Sequence, residues 1–457
     1  MTNYTEDPGL IHITELQNKL HTISKNFSIK KWDIGASCSF DSSVQVNKGI
    51  AKQLKSSQRN SLTIRVWNEK GLVGITSTSD LSEKGLCNAI SAAYEASSFG
   101  NAEETPQFSS EANSPLPSIN RDLKPSIGIN SLYQLLKKAE SQLLSSHKSI
   151  DSVPYNGLSE STYTRIYINS EGAKRELKRT QSTLYLYARA EEVGRKPRSS
   201  GAVRLALGAS DIDIEGCINE ASTKTINHLN YAPIETGKYL VCFKPEAFLE
   251  LINAFSSIFN ARSILDGVSL SKKDSIGESI SIPSFNLADD GLNKHNIGAV
   301  TFDGEGTPTK RINLVEKGII KNFLHSEATA RAFNVKPTGH AGLGSKVSVG
   351  PDWFVISSSN NTKSSLNHDD YQDTYVLIES LGALHAGVKA SQGSFSLPFE
   401  GWLVKGNEMV SVEAATVAGD IRSLLRNIVS IEENNEITHG GISPHIWIDD
   451  LSITGEA

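Results

Sequence analysis

A few patterns in this chain could do chemistry, and most lack the spacing a reaction needs. His439 and His445 flank Gly440-Gly-Ile-Ser-Pro444 and lie near Asp449 and Asp450. A metal there needs ligands that converge, whereas the stretch after Pro444 alternates like a strand and sends successive side chains to opposite faces. Surface or hydrogen-bonded histidines are the expectation. His325-Ser-Glu327 reads as the start of a helix, with the Ser or the Glu as its cap. Gly339-His-Ala-Gly-Leu-Gly-Ser-Lys346 resembles a phosphate-binding loop, but Lys and hydroxyl stand in the wrong order for one. The chain has no H-E-x-x-H, no H-x-x-x-H pair and no G-x-S-x-G elbow. Ser269 and Lys272 have an S-x-x-K spacing that a serine-rich chain produces by chance. Cys38, Cys87, Cys217 and Cys242 are far apart among apolar neighbours. That excludes a zinc ribbon or a thioredoxin-like pair and suits small buried hydrophobes.

The elements that would position such groups can be read from periodicity. Ile13, Leu16, Leu20, Ile23 and Phe27 form one helical stripe. Trp32, Ile34, Ala36, Cys38 and Phe40 alternate as a strand, with a break expected at Asp41-Ser42 before Val44 and Val46. Leu62, Ile64 and Val66 alternate again up to a turn at Asn68–Gly71. Asp80 with Glu83 predicts the next helix start, and Ser131–Ser146 and Asp211–Leu229 carry helical spacing. Long strands are expected at Thr162–Asn169 and from Ala173 towards Ala190. Tyr239–Phe243 reads as a strand, and Pro245 opens a helix with Phe248, Leu251, Ile252, Phe255, Ile258 and Phe259 on its apolar face. Turns are expected at Glu316–Gly318 and Lys405–Asn407, a helix from about Ala418 to Ile428, and a last strand over His445–Ile453. Strands cluster rather than alternate with helices, which predicts an α+β fold: N-terminal sandwich-like units on antiparallel sheets, then a strand-rich C-terminal domain with a barrel-like antiparallel sheet. The expected units are 1–99, a linker or surface excursion over 100–129, 130–232 and 233–457.

Composition narrows the function classes. The 457 residues carry 45 Lys+Arg against 51 Asp+Glu, a net charge of −6. That balance does not suit a nucleic-acid coat or an anionic membrane surface. Lys174, Arg175, Lys178, Arg179, Arg195, Lys196 and Arg198 make the middle unit locally basic, but interleaved Glu171, Glu176, Glu191 and Glu192 suggest a solvated sheet face. Apolar runs are strand-sized, and the start, MTNYTEDPGL, has neither the basic nor the apolar region of a secretory signal. A cytoplasmic location is expected.

Three stretches carry a resemblance. Ile64-Arg-Val-Trp67 with Val73-Gly-Ile-Thr-Ser-Thr-Ser-Asp-Leu-Ser82 is the first. Phe302-Asp-Gly-Glu-Gly-Thr-Pro308 with Leu314-Val-Glu-Lys-Gly-Ile-Ile-Lys-Asn-Phe-Leu-His325 is the second. Gly393-Ser-Phe-Ser396, Val417-Ala-Gly-Asp420 and the closing Gly440–Gly455 segment complete it. Together they resemble the TldD/PmbA family, modulators of DNA gyrase that form a metalloprotease. The TldD branch carries a helical H-E-x-x-x-H zinc motif; the PmbA branch, also called TldE, lacks it. The corresponding helix here is Pro245–Phe255, whose only carboxylates are Glu246 and Glu250 and which has no imidazole. Such a pair suits a hard cation held weakly rather than a typical zinc site, so the chain resembles the PmbA/TldE branch. Gly304, His340 and Ser394 depart from the family pattern, which commonly has an acidic residue, Asn and Asp there.

The resemblance implies a heterodimeric peptidase in which a TldD-type partner supplies zinc and hydrolysis. This chain would then have no cofactor, metal or catalytic residue of its own and would wall part of a cavity for unfolded or extended peptides, held by main-chain hydrogen bonds. The cavity candidates are His385, Gly387, Gly393, Ser394, Phe395 and Ser396, with the glycines admitting close backbone approach and Phe395 packing on substrate. Direct nucleic-acid or membrane binding is not expected, and in isolation the chain could pair with itself. The alternatives are a non-enzymatic binding protein of the gyrase-modulator type and a self-sufficient peptidase with an unrecognised site.

Overall fold

The computed structural model describes residues 13–100, 106–343, 347–359 and 374–455. The N-terminal half is one six-stranded antiparallel sheet in the order β3-β2-β1-β4-β5-β6. Its strands are β1 (Lys31–Asn47), β2 (Ile50–Trp67), β3 (Val73–Thr78), β4 (Ile150–Asn169), β5 (Lys174–Ala190) and β6 (Arg198–Ala206). Strands from the expected first and middle units therefore share a single sheet, joined where β1 pairs with β4 from Asp33↔Asn169 to Val44↔Leu158.

Period-two patterning gives this sheet two different faces. Ile34, Ala36, Cys38, Leu62, Ile64, Val66, Ile166 and Ile168 pack under α1 (Ile13–Asn26) and α2 (Glu83–Ser97). Val44 and Val46, in phase with them, continue the same face under α3 (Ile129–Ser145) and α4 (Ile214–Asn227). The opposite phase carries Asp33, Arg65 and Tyr167, all buried against the C-terminal half. Arg65 Nε donates to Asp33 Oδ1 at 2.8 Å, its Nη1 lies 3.3 Å from Glu305 Oε1, and the Tyr167 hydroxyl donates to Asp33 Oδ2 at 3.0 Å. Glu305 in turn accepts the Glu327 N–H at 2.9 Å. The layers are thus helices, sheet and C-terminal domain, with a buried ion cluster joining the last two.

The C-terminal half contains a closed ring of five strands. Thr374–Leu381 pairs with Gly237–Phe243, then Ile446–Gly455, Ala415–Asp420 and Ser394–Lys405 follow, and the last pairs back with the first. The ring's core includes Val241, Phe243, Val376, Ile378, Phe395, Leu397, Val417, Ile446 and Ile453. Beside it lies a second six-stranded sheet that includes Phe285–Asp289, Phe354–Ser358 and Gly441–Ser443, the last two running parallel.

Several expectations are corrected in detail. β1 runs through Asp41-Ser42 without a break, because the Asp41 carboxylate is held by Ser39, Arg59 and Ser161. The N-cap of α2 is Ser82, which accepts from Gly85 N, while Asp80 accepts from Ser82 N. The apolar helix from Pro245 ends at Ala254 and passes into a 3-10 turn over Ser256–Phe259. Ala418 belongs to a strand, and the helix after it spans only Ile421–Arg426, capped by Asp420. The basic strand face is not solvated throughout. Arg175 is buried and donates to the Gly306 and Ser114 carbonyls, and Arg179 donates to Gly298 O.

From Pro106 to Gly128 the chain has no strand or helix, yet it is tied down as a strap. Trp67 donates to Pro106 O and packs edge-on against Phe108. Ser110 donates through its N–H and hydroxyl to Glu327, and Arg121 reaches the Ile297 carbonyl. Phe108 and Ala112 are buried.

Candidate active site cleft

A cleft of about 650 Å³ opens in the C-terminal half. One wall is α5 (Pro245–Ala254), which starts on Pro245 because a missing N–H costs nothing in the first turn. Ala247, Phe248, Leu251 and Ile252 turn into the core. That leaves Glu246 and Glu250, one turn apart, on the cleft side with Leu249 and Asn253. The facing wall is Thr438–Gly440, pinned where Trp353 Nε1 donates to the His439 carbonyl at 3.2 Å. Gly441 follows because a Cβ there would stand 2.3 Å from Phe354 O. Asp352, Trp353, Leu384, His385, Val388 and Ala390 complete the lining.

Glu246, Glu250 and His439 offer ligand atoms that all lie within 4.8 Å of one another. His439 Nδ1 is 3.1 Å from Glu246 Oε1. That contact holds the Glu246 carboxyl below its ordinary range and raises the imidazole above its own. Burial, followed by the charge of Glu246, pushes Glu250 up to about 7. The cluster can therefore hold and release a proton near neutrality. As a cation site it offers two carboxylates and one imidazole, which fits a hard ion bound weakly at a half-exposed surface. It does not fit an H-E-x-x-x-H zinc centre, since the helix brings no imidazole and the one histidine is already bonded to Glu246.

The structure separates the six cavity candidates. His385 is exposed and lines the cleft. Gly387, Gly393, Ser394, Phe395 and Ser396 do not line it. A Cβ on Gly387 would meet Ser396 O at 2.3 Å, and Gly393 has φ +86° beside the Asp420 carboxylate, so both glycines serve the local turn. Phe395 is buried in the ring's core, 6.3 Å edge-on from Phe255, and is not available to a substrate. Ser394 and Ser396 pair with Asp420 and Ala418 in the ladder.

Other sequence candidates resolve into structure. Ser326 caps the helix Glu327–Phe333 in a reciprocal capping box with Thr329. His445 leaves His439 and lies 3.6 Å and 3.7 Å from Glu432 and Glu436. Ser269 donates to Ser257 O. Ala341–Gly342, within the glycine-rich stretch, is a short strand paired with Ser348–Val349, and residues 344–346 lie outside the described residues. Cys38, Cys217 and Cys242 are buried and outside any disulfide, with Cys217 pushed by burial up to about 11. What sequence reasoning missed is the arrival of His439 opposite Glu246. The i,i+4 carboxylates were visible, but the histidine reaches them only through the parallel pairing of Gly441–Ser443 with Phe354–Ser358.

Three domain models of one family match in chain order: PmbA/TldA metallopeptidase domain 1 over residues 32–97, the central domain over 122–229 and the C-terminal domain over 236–455. The chain belongs to the PmbA/TldD metallopeptidase family. It is 22% identical over 424 residues to the metalloprotease PmbA of Escherichia coli, covering 91% of this chain and 90% of that protein. Its fold is that of a putative modulator of a DNA gyrase from Thermotoga maritima, with TM-score 0.85 and 23% identity over 97% of this chain and 100% of that one. TldE from Thermococcus kodakarensis has the same fold, with TM-score 0.79 and 19% identity over 96% and 100%. Among the described residues no helix is long and apolar enough to cross a membrane.

Proposed function

We propose that this chain is the PmbA/TldE-type subunit of a two-chain zinc peptidase that acts on unfolded or extended peptides in the cytoplasm. The observation that carries this reading is the cleft helix: α5 brings Glu246 and Glu250 to the cleft and carries no imidazole. A TldD-type partner bearing H-E-x-x-x-H supplies the zinc that polarises the peptide carbonyl and activates water. This chain's own groups bind and orient. Glu250, titrating near 7, donates to a peptide carbonyl when protonated and accepts from an N–H when ionised. Leu249, Trp353 and Leu384 give the cleft apolar surface for side chains of mixed type.

The test is hydrolysis of a quenched, unstructured peptide by the purified chain, by an H-E-x-x-x-H chain from the same source, and by the two mixed. Turnover confined to the mixture, and abolished by chelator, is the expected result. Turnover by this chain alone would make it self-sufficient and overturn the assignment.

A further inference from the structure

Asp289, His340 and Asp352 come together from three parts of the chain, and the peptidase reading uses none of them. Asp289 ends the strand Phe285–Asp289, and its side chain and that of His340 have no solvent exposure. Its carboxylate accepts the N–H groups of Asp352 at 2.8 Å and Trp353 at 3.3 Å. His340 Nδ1 lies 2.9 Å from Thr338 Oγ1. That hydroxyl already accepts the His325 N–H at 2.7 Å and donates to the His325 carbonyl at 3.1 Å. With its own proton so committed, Thr338 accepts from Nδ1–H, which leaves Nε2 to meet Asp289 with either a second proton or a lone pair.

Nε2 has no hydrogen-bond partner although it is enclosed. It faces Asp289 Oδ1 at 3.5 Å, too far for a charge-assisted hydrogen bond. A lone pair held against a carboxylate away from water is repulsive unless a cation lies between them. The spacing suits that arrangement, because two ligands at roughly 2.0–2.2 Å from a tetrahedral ion stand roughly 3.4 Å apart. An Asp352 oxygen lies within 4.8 Å of both atoms, and Asp352 also lines the cleft. His228 and Glu379 give the contrast. They approach to 3.4 Å with His228 Nε2 and Glu379 Oε2 both unpartnered, but Lys244 and Lys224 already neutralise that carboxylate.

We propose that Asp289, His340 and Asp352 bind one divalent first-row cation, of the zinc or manganese class, in the wall of the cleft. One imidazole with two carboxylates is a donor set for such ions. Thr338 and the backbone N–H groups of Asp352 and Trp353 hold the ligands in place from behind. The ion ties the Asp289 strand to the Trp353 turn, which pins the His439 loop, and so it sets the shape of the cleft rather than performing hydrolysis.

Chelator-stripped full-length chain is titrated with Co²⁺ and, separately, Mn²⁺, with visible absorption and elemental analysis after dialysis as readouts. One retained equivalent is expected, weakened at least tenfold in His340→Gln and in Asp352→Asn and unchanged in the Glu246→Gln/Glu250→Gln double variant. Asp352 is the exposed ligand, so its variant serves even where the buried His340 change impairs folding. Two results overturn the proposal. If no equivalent is retained, a proton rather than an ion bridges His340 and Asp289. If retention is lost only in the double variant, the ion belongs to α5. Neither readout depends on peptide turnover, so failure of the two-chain reading leaves this test intact.

Discussion

Glu250 makes the cleft sensitive to pH in a direction that can be stated. Its carboxyl titrates near 7 in the fold against an ordinary 4.5, raised by burial and then by Glu246. The native state therefore keeps a proton that the unfolded chain releases between those values. Its contribution to stability is complete below pH 4.5 and is lost as pH rises through 7. Thermal melts should show the wild type losing stability between pH 5 and 7.5 relative to Glu250→Gln; parallel curves would remove Glu250 as the titrating group. Glu246→Gln should lower the Glu250 value by removing a neighbouring charge, which ¹³C-carboxyl NMR reads directly. At this scale the sequence showed the two carboxylates on one helical turn. It could not show His439 opposite them, nor the pairing of Asp289 with His340, because long-range strand register leaves no local trace. Phe395 misled for a related reason. A glycine-flanked aromatic looks the same whether its strand faces a ligand or the inside of a closed ring.

Among the elements, the ring and the first sheet make different demands on substitution. Phe395→Ala should cost about 3–5 kcal/mol through lost burial and the cavity left behind, whereas Ser396→Ala should stay within about 0.5 kcal/mol. Urea denaturation midpoints separate the two, and equal midpoints would place Phe395 outside the core. Arg65→Met strips the buried Asp33 and Glu305 carboxylates of their shared cation and should cost about 3–5 kcal/mol by the same measurement. Alternation found one end of β2 and of β4 and both halves of β1, where the apolar face from Ile34 to Val46 is interrupted at Asp41-Ser42 although the strand is not. Asp33 and Arg65 lie in the other phase, where the C-terminal half covers them. Helix starts drifted for a simpler reason. Asp80 and Ser82 are both good caps, and only the bond from Gly85 N decides between them.

For the whole molecule, the two-chain reading predicts a one-to-one complex by light scattering when the partner is added, with an unchanged mass counting against it. The α+β class and the barrel-like C-terminal sheet were legible from clustered strands. The continuity of the first sheet across the 106–128 strap was not, since a polar, proline-containing stretch reads as a gap whether or not it is pinned at Trp67, Glu327 and Ile297. The Arg65–Glu305 contact also bears on how the chain is made. Its two residues lie 240 positions apart. At roughly 5–20 residues per second, a ribosome delivers the second about 12–48 s after the first. Throughout that interval the N-terminal sheet lacks the Glu305 partner of its charged face. Vectorial synthesis thus keeps that face wet, and so protected from premature apolar association, until the last third of the polypeptide arrives to cover it.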